Sequence, residues 1–245
     1  MSTPKDIYGA ALLDFYNNEY TEDITVLSPT IEDDILPLPY LFRTFAEMPT
    51  IEQQALLLCK GHTLDIGCGA GSHALWLTDN NQEVSIIDQS AGAITVSRKR
   101  IHTLSRKRML KNNITDSIWN HTSQYDTLLL LMNGTGIFEQ LSNVDNALQH
   151  LKAMLKPGGQ ILVDSSDLAF LFRDEEDGGI WQDASTDYYG EVTFSMQYKG
   201  ETTPDFNWLY LDFELLKKYA QKNELCAELI VEGDHYDYLA RLTIA

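Results

Sequence analysis

The chain has 245 residues, of which 44% are hydrophobic and 22% are charged, as expected for a globular protein with one large domain. Its 18 basic and 36 acidic residues give a formal net charge of −18, which disfavours nucleic acid and anionic membranes as partners. No apolar run reaches the ~20 residues of a membrane span, and the first residues lack the pattern of a signal peptide. The three cysteines (Cys59, Cys68, Cys226) show no metal-ligand spacing, so we expect a cytoplasmic protein with reduced thiols and no metal site. The oligomeric state is left open.

The basic residues are unevenly distributed. Seven of them lie between positions 98 and 111: Arg98, Lys99, Arg100, Arg106, Lys107, Arg108 and Lys111. We interpret this cluster as the solvated end of a helix, where cations suit the negative pole of the helix dipole. A local contact with an anion or with RNA is the alternative.

The first 60 residues predict a helical cap. Apolar residues at helical spacing predict a helix over about 7–20, and three prolines predict a loop from Ser28 to Pro39. A second helix is predicted to start near Thr50, where Thr50 and Gln53 resemble a capping box.

From residue 61 onward the pattern changes to alternating strands and helices, which favours a doubly wound α/β sheet. Strands are predicted over 63–66, 84–88, 127–132 and 160–164, and helices over 72–78, 90–104 and 144–155. Ser90 is predicted to cap the second of these helices.

The rest of the chain adds an insertion and a terminal strand pair. Residues 166–208 interrupt the alternation with an acidic loop at 174–179 and a hairpin of strands over 191–198 and 206–211. A helix over 212–222 and strands over 225–232 and 236–244 follow, and the short link between these strands requires antiparallel pairing. We therefore expect a single domain, with a cap over 1–60, a ligand-binding half over 61–165, an inserted lid over 166–208 and a C-terminal part over 209–245.

The segment LDIGCGAG, residues 64–71, contains the strongest motif. Asp65 lies at the end of a buried strand and leads into glycines 67, 69 and 71, where the backbone can turn tightly and approach a ligand. Asp88 ends the next strand, at the point where nucleotide-binding sheets place a carboxylate that accepts both ribose hydroxyls.

The spacing of the glycines decides between two nucleotide ligands. A dinucleotide fingerprint is G-x-G-x-x-G, whereas this loop has G-x-G-x-G, and Ser72 occupies the place of the third glycine. The charge of Asp65 opposes a pyrophosphate but suits an ammonium group. Adenosine attached to an amino acid is such a ligand.

Four motifs in order resemble the class I S-adenosylmethionine-dependent methyltransferases: LDIGCGAG, SIIDQS, YDTLLLLMN and LKPGGQILVD. The resemblance covers about 60–165 and the terminal strand pair. It implies a Rossmann-like methyltransferase fold, with a seven-stranded, mostly parallel sheet and an antiparallel last strand. It also implies S-adenosylmethionine (SAM) as the cofactor and S-adenosylhomocysteine (SAH) as its product.

The resemblance also assigns cofactor contacts. The loop residues Asp65, Gly67, Cys68, Gly69, Ala70 and Gly71 would hold the methionine portion, with Asp65 on its amino group. Asp88 would hold the ribose, and Gln89 would lie beside the adenine. Asp116, Ser117 and Ile118 stand where the family reads the adenine amino group, and Asn133 would lie near the transferring methyl group.

The acceptor is less well marked. Asn133 is followed by Gly134-Thr135-Gly136 and not by the Pro-Pro-aromatic sequence of relatives that methylate amides or bases. We expect a small-molecule acceptor under a lid formed by residues 1–45 and 166–208, with no catalytic base assigned. Two alternatives stay open, a SAM-binding regulatory protein without turnover and a nicotinamide-dependent oxidoreductase.

Three further residues have simpler expected roles. His73 is predicted to be packed or to cap a helix, and Cys68 is predicted to serve as a small residue in the loop. Arg43 is predicted to pair with an acidic side chain.

Overall fold

The computed structural model describes residues 5–105, 110–172 and 188–245. The acidic loop predicted at 174–179 lies outside the described residues, as do Arg106, Lys107 and Arg108 of the basic cluster. Among the described residues, no helix has the length and apolarity to cross a membrane.

The described helices and strands follow one another in this order: α1 (Ile7–Tyr16), β1 (Ile24–Leu27), β2 (Asp34–Leu36), α2 (Leu38–Leu41), α3 (Thr50–Leu58), β3 (His62–Ile66), α4 (Ser72–Asp79), β4 (Glu83–Asp88), α5 (Ala91–Leu104), β5 (Leu110–Thr115), β6 (Tyr125–Leu130), α6 (Val144–Ala153), β7 (Leu155–Ser166), β8 (Glu191–Tyr198), β9 (Glu201–Thr202), β10 (Phe206–Leu209), α7 (Phe213–Lys222), β11 (Leu225–Glu232) and β12 (Asp237–Ile244).

The main sheet has seven strands in the order β11-β12-β7-β6-β3-β4-β5. Strands β7, β6, β3, β4 and β5 are parallel, and β12 is antiparallel to both β7 and β11. The predicted fold class is therefore confirmed. The chain order reverses between β3 and β6, and open α/β sheets bind ligands at the carboxyl ends of the strands at such a switch point.

Helices cover both faces of this sheet. Apolar residues of α6 and α7 pack on one face, and those of α3, α4 and α5 pack on the other. Because both faces are covered, the central strands are continuously apolar, as Leu128, Leu129 and Leu130 of β6 show by being fully buried. Strand β5 lies at the sheet edge and has mainly exposed residues, so the sequence marks it poorly.

The N-terminal segment corrects the prediction of a purely helical cap. Residues 34–36, predicted as loop, form β2, which pairs with β1 in an antiparallel arrangement. Strand β1 also pairs with β8 of the insertion, and the predicted hairpin is confirmed by the pairing of β8 with β10. The two segments expected to form a lid thus share a second sheet. A pairing between residues about 170 positions apart leaves no local trace in the sequence.

The start of α3 corrects the predicted capping box. Pro49 occupies the N-cap position and makes no side-chain cap. The side-chain amide of Gln53 instead donates a hydrogen bond to the carbonyl of Met48, at 2.8 Å. By contrast, Ser90 caps α5 as predicted, since its hydroxyl accepts a hydrogen bond from the Ala93 amide at 2.9 Å.

Helix α1 is fixed to α5 by a carboxylate that caps both helices. Asp6 accepts a hydrogen bond from the amide of Gly9 in its own helix, at 2.9 Å. Its other oxygen accepts from the amide of Gly92 and from the hydroxyl of Ser90, both at 2.9 Å, at the start of α5. The positive ends of the two helices therefore share one negative charge.

The crossing of α1 and α5 depends on two glycines. A Cβ added to Gly92 would lie 2.4 Å from the Cα of Gly9, closer than any real contact between such atoms. The helices can approach this closely only because both positions lack a side chain.

We predict that Gly92→Ala destabilises the protein by about 1–2 kcal/mol, since overpacking against backbone outweighs the gain in helix propensity. Urea unfolding would measure the change. Ala91→Ser, at the neighbouring exposed position, is the control because it adds one heavy atom away from α1. A more stable Gly92→Ala variant would contradict the tight crossing.

Candidate functional site

The loop between β3 and α4 has a backbone that glycine adopts readily. The φ angles of Gly67, Gly69 and Gly71 are 71°, 51° and 78°, all in the left-handed region. The amides of Gly67 and Cys68 donate hydrogen bonds to the carbonyl of Ile87 in β4, at 2.9 and 3.3 Å. The neighbouring strand therefore fixes the shape of the loop.

Arg100 of α5 donates a hydrogen bond to the loop backbone. Its burial corrects the interpretation of the basic cluster as a solvated helix end. Its side chain is buried, and it donates to the carbonyl of Ala70 at 2.5 Å and to the carbonyl of Phe42 at 3.1 Å. Burial lowers the pKa of Arg100 to about 10, so the guanidinium stays charged at neutral pH. One member of the predicted solvated cluster is thus an internal clamp between the loop and the N-terminal segment.

Asp65 presents an unused carboxylate oxygen beneath the loop. The residue is 1% exposed, and its Oδ2 has no hydrogen-bond partner among the described residues. Burial raises the pKa of Asp65 to about 6, although nearby His73 opposes this. An orphaned buried acceptor of this kind fits an ammonium group, which would satisfy and ionise it.

Asp88, at the end of β4, holds the loop from the other side. Its Oδ2 accepts a hydrogen bond from the Gly69 amide at 3.0 Å, and its Oδ1 accepts from the Ser90 amide at 2.8 Å. Burial raises the pKa of this carboxyl. Each carboxylate oxygen has a second lone pair, so Asp88 can accept hydroxyl donors while it holds the loop. Gln89 follows directly in the chain.

The segment after β5 lies beside Asp88. The Asp116 amide donates to the carbonyl of Asp88 at 3.2 Å, while its Oδ1 accepts from the Ser117 amide at 2.7 Å. Ile118 is buried. The structure therefore brings together the predicted residues at the ends of β3, β4 and β5.

Asn133 follows β6 on the other side of β3. Its Oδ1 accepts a hydrogen bond from the Ser165 hydroxyl at 3.0 Å. The same turn reaches the glycine loop, since a Cβ on Gly67 would lie 3.4 Å from Ile137. Asn133 is thus part of the same carboxyl edge of the sheet.

Tyr8 of α1 lies against the glycine loop, a position that the sequence did not mark. Its hydroxyl oxygen would lie 2.7 Å from a Cβ added to Gly69. Burial, together with the charge of Asp88, raises the pKa of Tyr8, so its hydroxyl remains protonated and can donate. In the sequence, Tyr8 is one of several aromatic residues in an amphipathic helix, with no motif around it.

A buried charged cluster lies behind the loop. Arg43 pairs with Glu52, as predicted for Arg43, and the Nε2 of His73 lies 2.6 Å from Glu52 Oε2. Burial alone would lower the pKa of His73, but the hydrogen bond to Glu52 raises it overall. His73 is therefore packed in an ion-paired cluster. Cys68 is also buried, which raises its pKa well above that of an ordinary thiol and suits its predicted role as a small residue.

A cavity of about 260 Å³ lies at the carboxyl ends of β6 and β7. Asn133 and Asp164 line it from the sheet, and Tyr40 and Glu52 line it from the N-terminal segment. The cavity is therefore lined by parts of the chain that are distant in sequence, next to the turn that contains Asn133.

Comparison with known proteins identifies the family. Residues 64–161 match the family model described as a methyltransferase domain. The whole chain is 41% identical to a SAM-dependent methyltransferase from Bacteroides fragilis, whose structure was solved in complex with SAH. That similarity covers 100% of this chain and 97% of the other, with a TM-score of 0.88. The chain belongs to the class I SAM-dependent methyltransferases.

Two other similarities are weaker. A SAM-dependent methyltransferase from Clostridium acetobutylicum ATCC 824 is 13% identical to the present chain, with a TM-score of 0.60. The match covers 82% of the present chain and 94% of the Clostridium chain, and it shows a similarity of fold alone. A putative methyltransferase, YqeM of Bacillus subtilis (strain 168), is 25% identical over 139 residues. That match spans 53% of the present chain and 56% of the relative, so the chain covers little more than half of the relative's length.

SAM is the cofactor of this methyltransferase, and the residues present fit it. The orphaned oxygen of Asp65 matches the ammonium group of the cofactor, and the left-handed backbone of the glycine loop disfavours residues with a side chain. The negative charge of Asp65 opposes a pyrophosphate, and the chain belongs to a SAM-dependent family, so the alternative of a nicotinamide-dependent oxidoreductase is set aside.

We predict that Arg100→Met destabilises the protein by about 2 kcal/mol, because the buried carbonyls of Ala70 and Phe42 lose their donor. It should also weaken SAH binding about tenfold, since the loop backbone is less well held. Thermal unfolding and calorimetry would measure the two effects. Arg98→Met, on the exposed side of the same helix, is the matched control. Equal thermal stability and equal SAH affinity of the two variants would show that the hydrogen bonds of Arg100 do not stabilise the loop.

Proposed function

We propose that this methyltransferase transfers the methyl group of SAM to a small molecule bound in the 260 Å³ cavity beside Asn133. The observation that carries the proposal is the position of this cavity, at the carboxyl edge of the sheet and next to the turn after β6. Its volume is just below the usual range for small-molecule pockets, which favours a small metabolite over a macromolecular acceptor. The net charge of −18 argues in the same direction against nucleic acid.

We further propose the cofactor contacts that the motifs imply. The free oxygen of Asp65 accepts from the methionine ammonium, and the methionine portion lies along the loop residues Gly67, Cys68, Gly69, Ala70 and Gly71. Asp88 accepts from the ribose hydroxyls. Gln89, Asp116, Ser117 and Ile118 surround the adenine, and Asn133 lies near the methyl group. The proximity of these residues at one edge of the sheet supports this placement.

When bound, the cofactor supplies an electrophilic methyl group on its sulfonium. The contribution of the protein is to hold the cofactor and the acceptor nucleophile in line and to exclude water. Fixing two reactants in this way can provide most of a rate enhancement, so a dedicated base is not required. The second sheet suits the role of a cover, because Trp208 of β10 packs directly on Gly136 in the turn after β6.

Turnover separates this proposal from a regulatory protein that only binds SAM. Wild-type protein would be incubated with methyl-labelled SAM and fractions of a metabolite extract, and both SAH and labelled small molecules would be quantified. We expect one fraction to yield equal amounts of the two products. Asp65→Asn is the inactive comparison. Cofactor binding without SAH formation in any fraction would favour the regulatory alternative.

We predict that SAH binding depends on the ionisation of Asp65. Since its pKa in the free protein is about 6 and an ammonium ligand requires the carboxylate, affinity should be constant above about pH 7. Below pH 6 it should fall by up to tenfold per pH unit, because one proton must be displaced on binding. Calorimetry between pH 5 and pH 8 measures this dependence. Asp65→Asn should bind SAH weakly with no such dependence, and an unchanged slope in the variant would assign the titration to another group.

A further inference from the structure

The turn after β6 holds two consecutive residues in the left-handed region, although neither is glycine. The φ angle is 66° for Met132 and 61° for Asn133. A Cβ disfavours this backbone conformation, and methionine lacks the short polar group that lets asparagine adopt it. Such a turn persists only where the surrounding structure holds it, and turns of this kind occur at functional sites.

Asp164, near the carboxyl end of β7, fixes the conformation of this turn through hydrogen bonds. Its Oδ2 accepts a hydrogen bond from the Met132 amide at 3.0 Å, and its Oδ1 accepts from the Gly134 amide at 2.8 Å. The Met132 amide belongs to the peptide group between residues 131 and 132, and the Gly134 amide to the one between residues 133 and 134. One carboxylate therefore holds the first and the last of the three peptide groups of the turn. Asp164 is only 8% exposed, and hydrogen bonds to an ionised carboxylate are stronger than those to a neutral group.

The conformation of this turn shapes the cavity. Met132, Asn133 and Asp164 all line it. The Asn133 side chain is already bonded to Ser165, which leaves the backbone of the turn as the adjustable part of this wall. A change in the hold on the backbone would therefore change the shape of the cavity.

We propose that Asp164 is a positioning residue, whose ionised carboxylate holds the turn of residues 132–134 as a wall of the acceptor cavity. The proposal rests on the proposed function in taking this cavity as the acceptor site. Protonation would place a hydrogen on one carboxyl oxygen and weaken its bond to the facing amide, which would release the turn.

The surroundings of Asp164 place this change near neutral pH. Burial raises the pKa of Asp164 to about 7, the two amide hydrogen bonds lower it, and the charge of Glu52 on α3 raises it. His73 on α4 lowers it. Within the part of the chain that the structure describes, the other titratable groups facing Asp164 or sharing its cavity are Tyr40, Tyr238 and Asp237. The turn should thus be held above about pH 7 and released below it.

Hydrogen–deuterium exchange of the peptide spanning residues 131–136 tests the proposal without an acceptor. In the wild-type protein, after correction for intrinsic rates, we expect exchange to become about tenfold faster as the pH falls from 8 to 6. Asp164→Asn should exchange at least tenfold faster than wild type at pH 8 and show no such pH dependence, since an amide presents only one acceptor to the two N–H groups.

Asp126→Asn is the matched control. Asp126 lies at the amino end of β6, away from the turn that follows this strand. It also accepts a backbone hydrogen bond, from the His62 amide at 2.8 Å. This variant should keep the wild-type exchange of residues 131–136.

Two results would overturn the proposal, namely wild-type protection that is flat between pH 6 and 8, or Asp164→Asn exchanging like wild type. If Asp164→Asn does not fold, the wild-type pH series alone decides. SAH calorimetry of the wild-type protein is run alongside, and a failure to bind would reject the proposed function separately, whatever the exchange shows.

Discussion

The structure depends on one backbone constraint, the left-handed conformation of the loop between β3 and α4. Gly67, Gly69 and Gly71 make this conformation accessible, but they do not select it, because glycine is equally free in the unfolded chain. Selection comes from hydrogen bonds to the loop. The Ile87 carbonyl accepts hydrogen bonds from two amides of the loop, and the Asp88 carboxylate accepts one from a third amide. Arg100 donates a hydrogen bond to one of the loop carbonyls.

The same constraint links the N-terminal segment to the site. Arg100 bonds to Phe42 as well as to the loop, and the Ser72 hydroxyl donates to the carbonyl of Leu41 at 2.8 Å. Asp6 places α1 against α5, and this brings Tyr8 over Gly69. The N-terminal segment thus contacts the glycine loop and also forms part of a second sheet. Its buried charges are compensated by partners inside the protein, as Arg43 and Glu52 illustrate, which avoids the cost of an unpaired buried ion.

Sequence patterns predicted the parts of the fold whose causes are local. The apolar run predicted a strand over 127–132, and β6 covers Tyr125–Leu130. The glycines predicted a tight turn and the short link before β12 predicted antiparallel pairing, and both are confirmed. Strand β2 was missed because its partner β1 is itself held by β8, whose residues lie far along the chain. Arg100 was misplaced for a related reason. Its neighbours in sequence are basic, and only the packing of α5 on the glycine loop shows that it faces inward. The strained turn at Met132 likewise has no local signal, since Asp164, which holds it, lies 32 residues away.

SAH calorimetry of Gly69→Val tests most directly whether the glycine loop is the binding surface for the cofactor. The branched side chain disfavours a φ of 51° and would meet the Tyr8 hydroxyl, so we predict that SAH affinity falls at least a hundredfold. Gly158→Val is the matched comparison, because Gly158 has a φ of 76° but no atoms near its Cβ position, and it should bind SAH like wild type. A folded Gly69→Val protein with wild-type affinity would contradict the account.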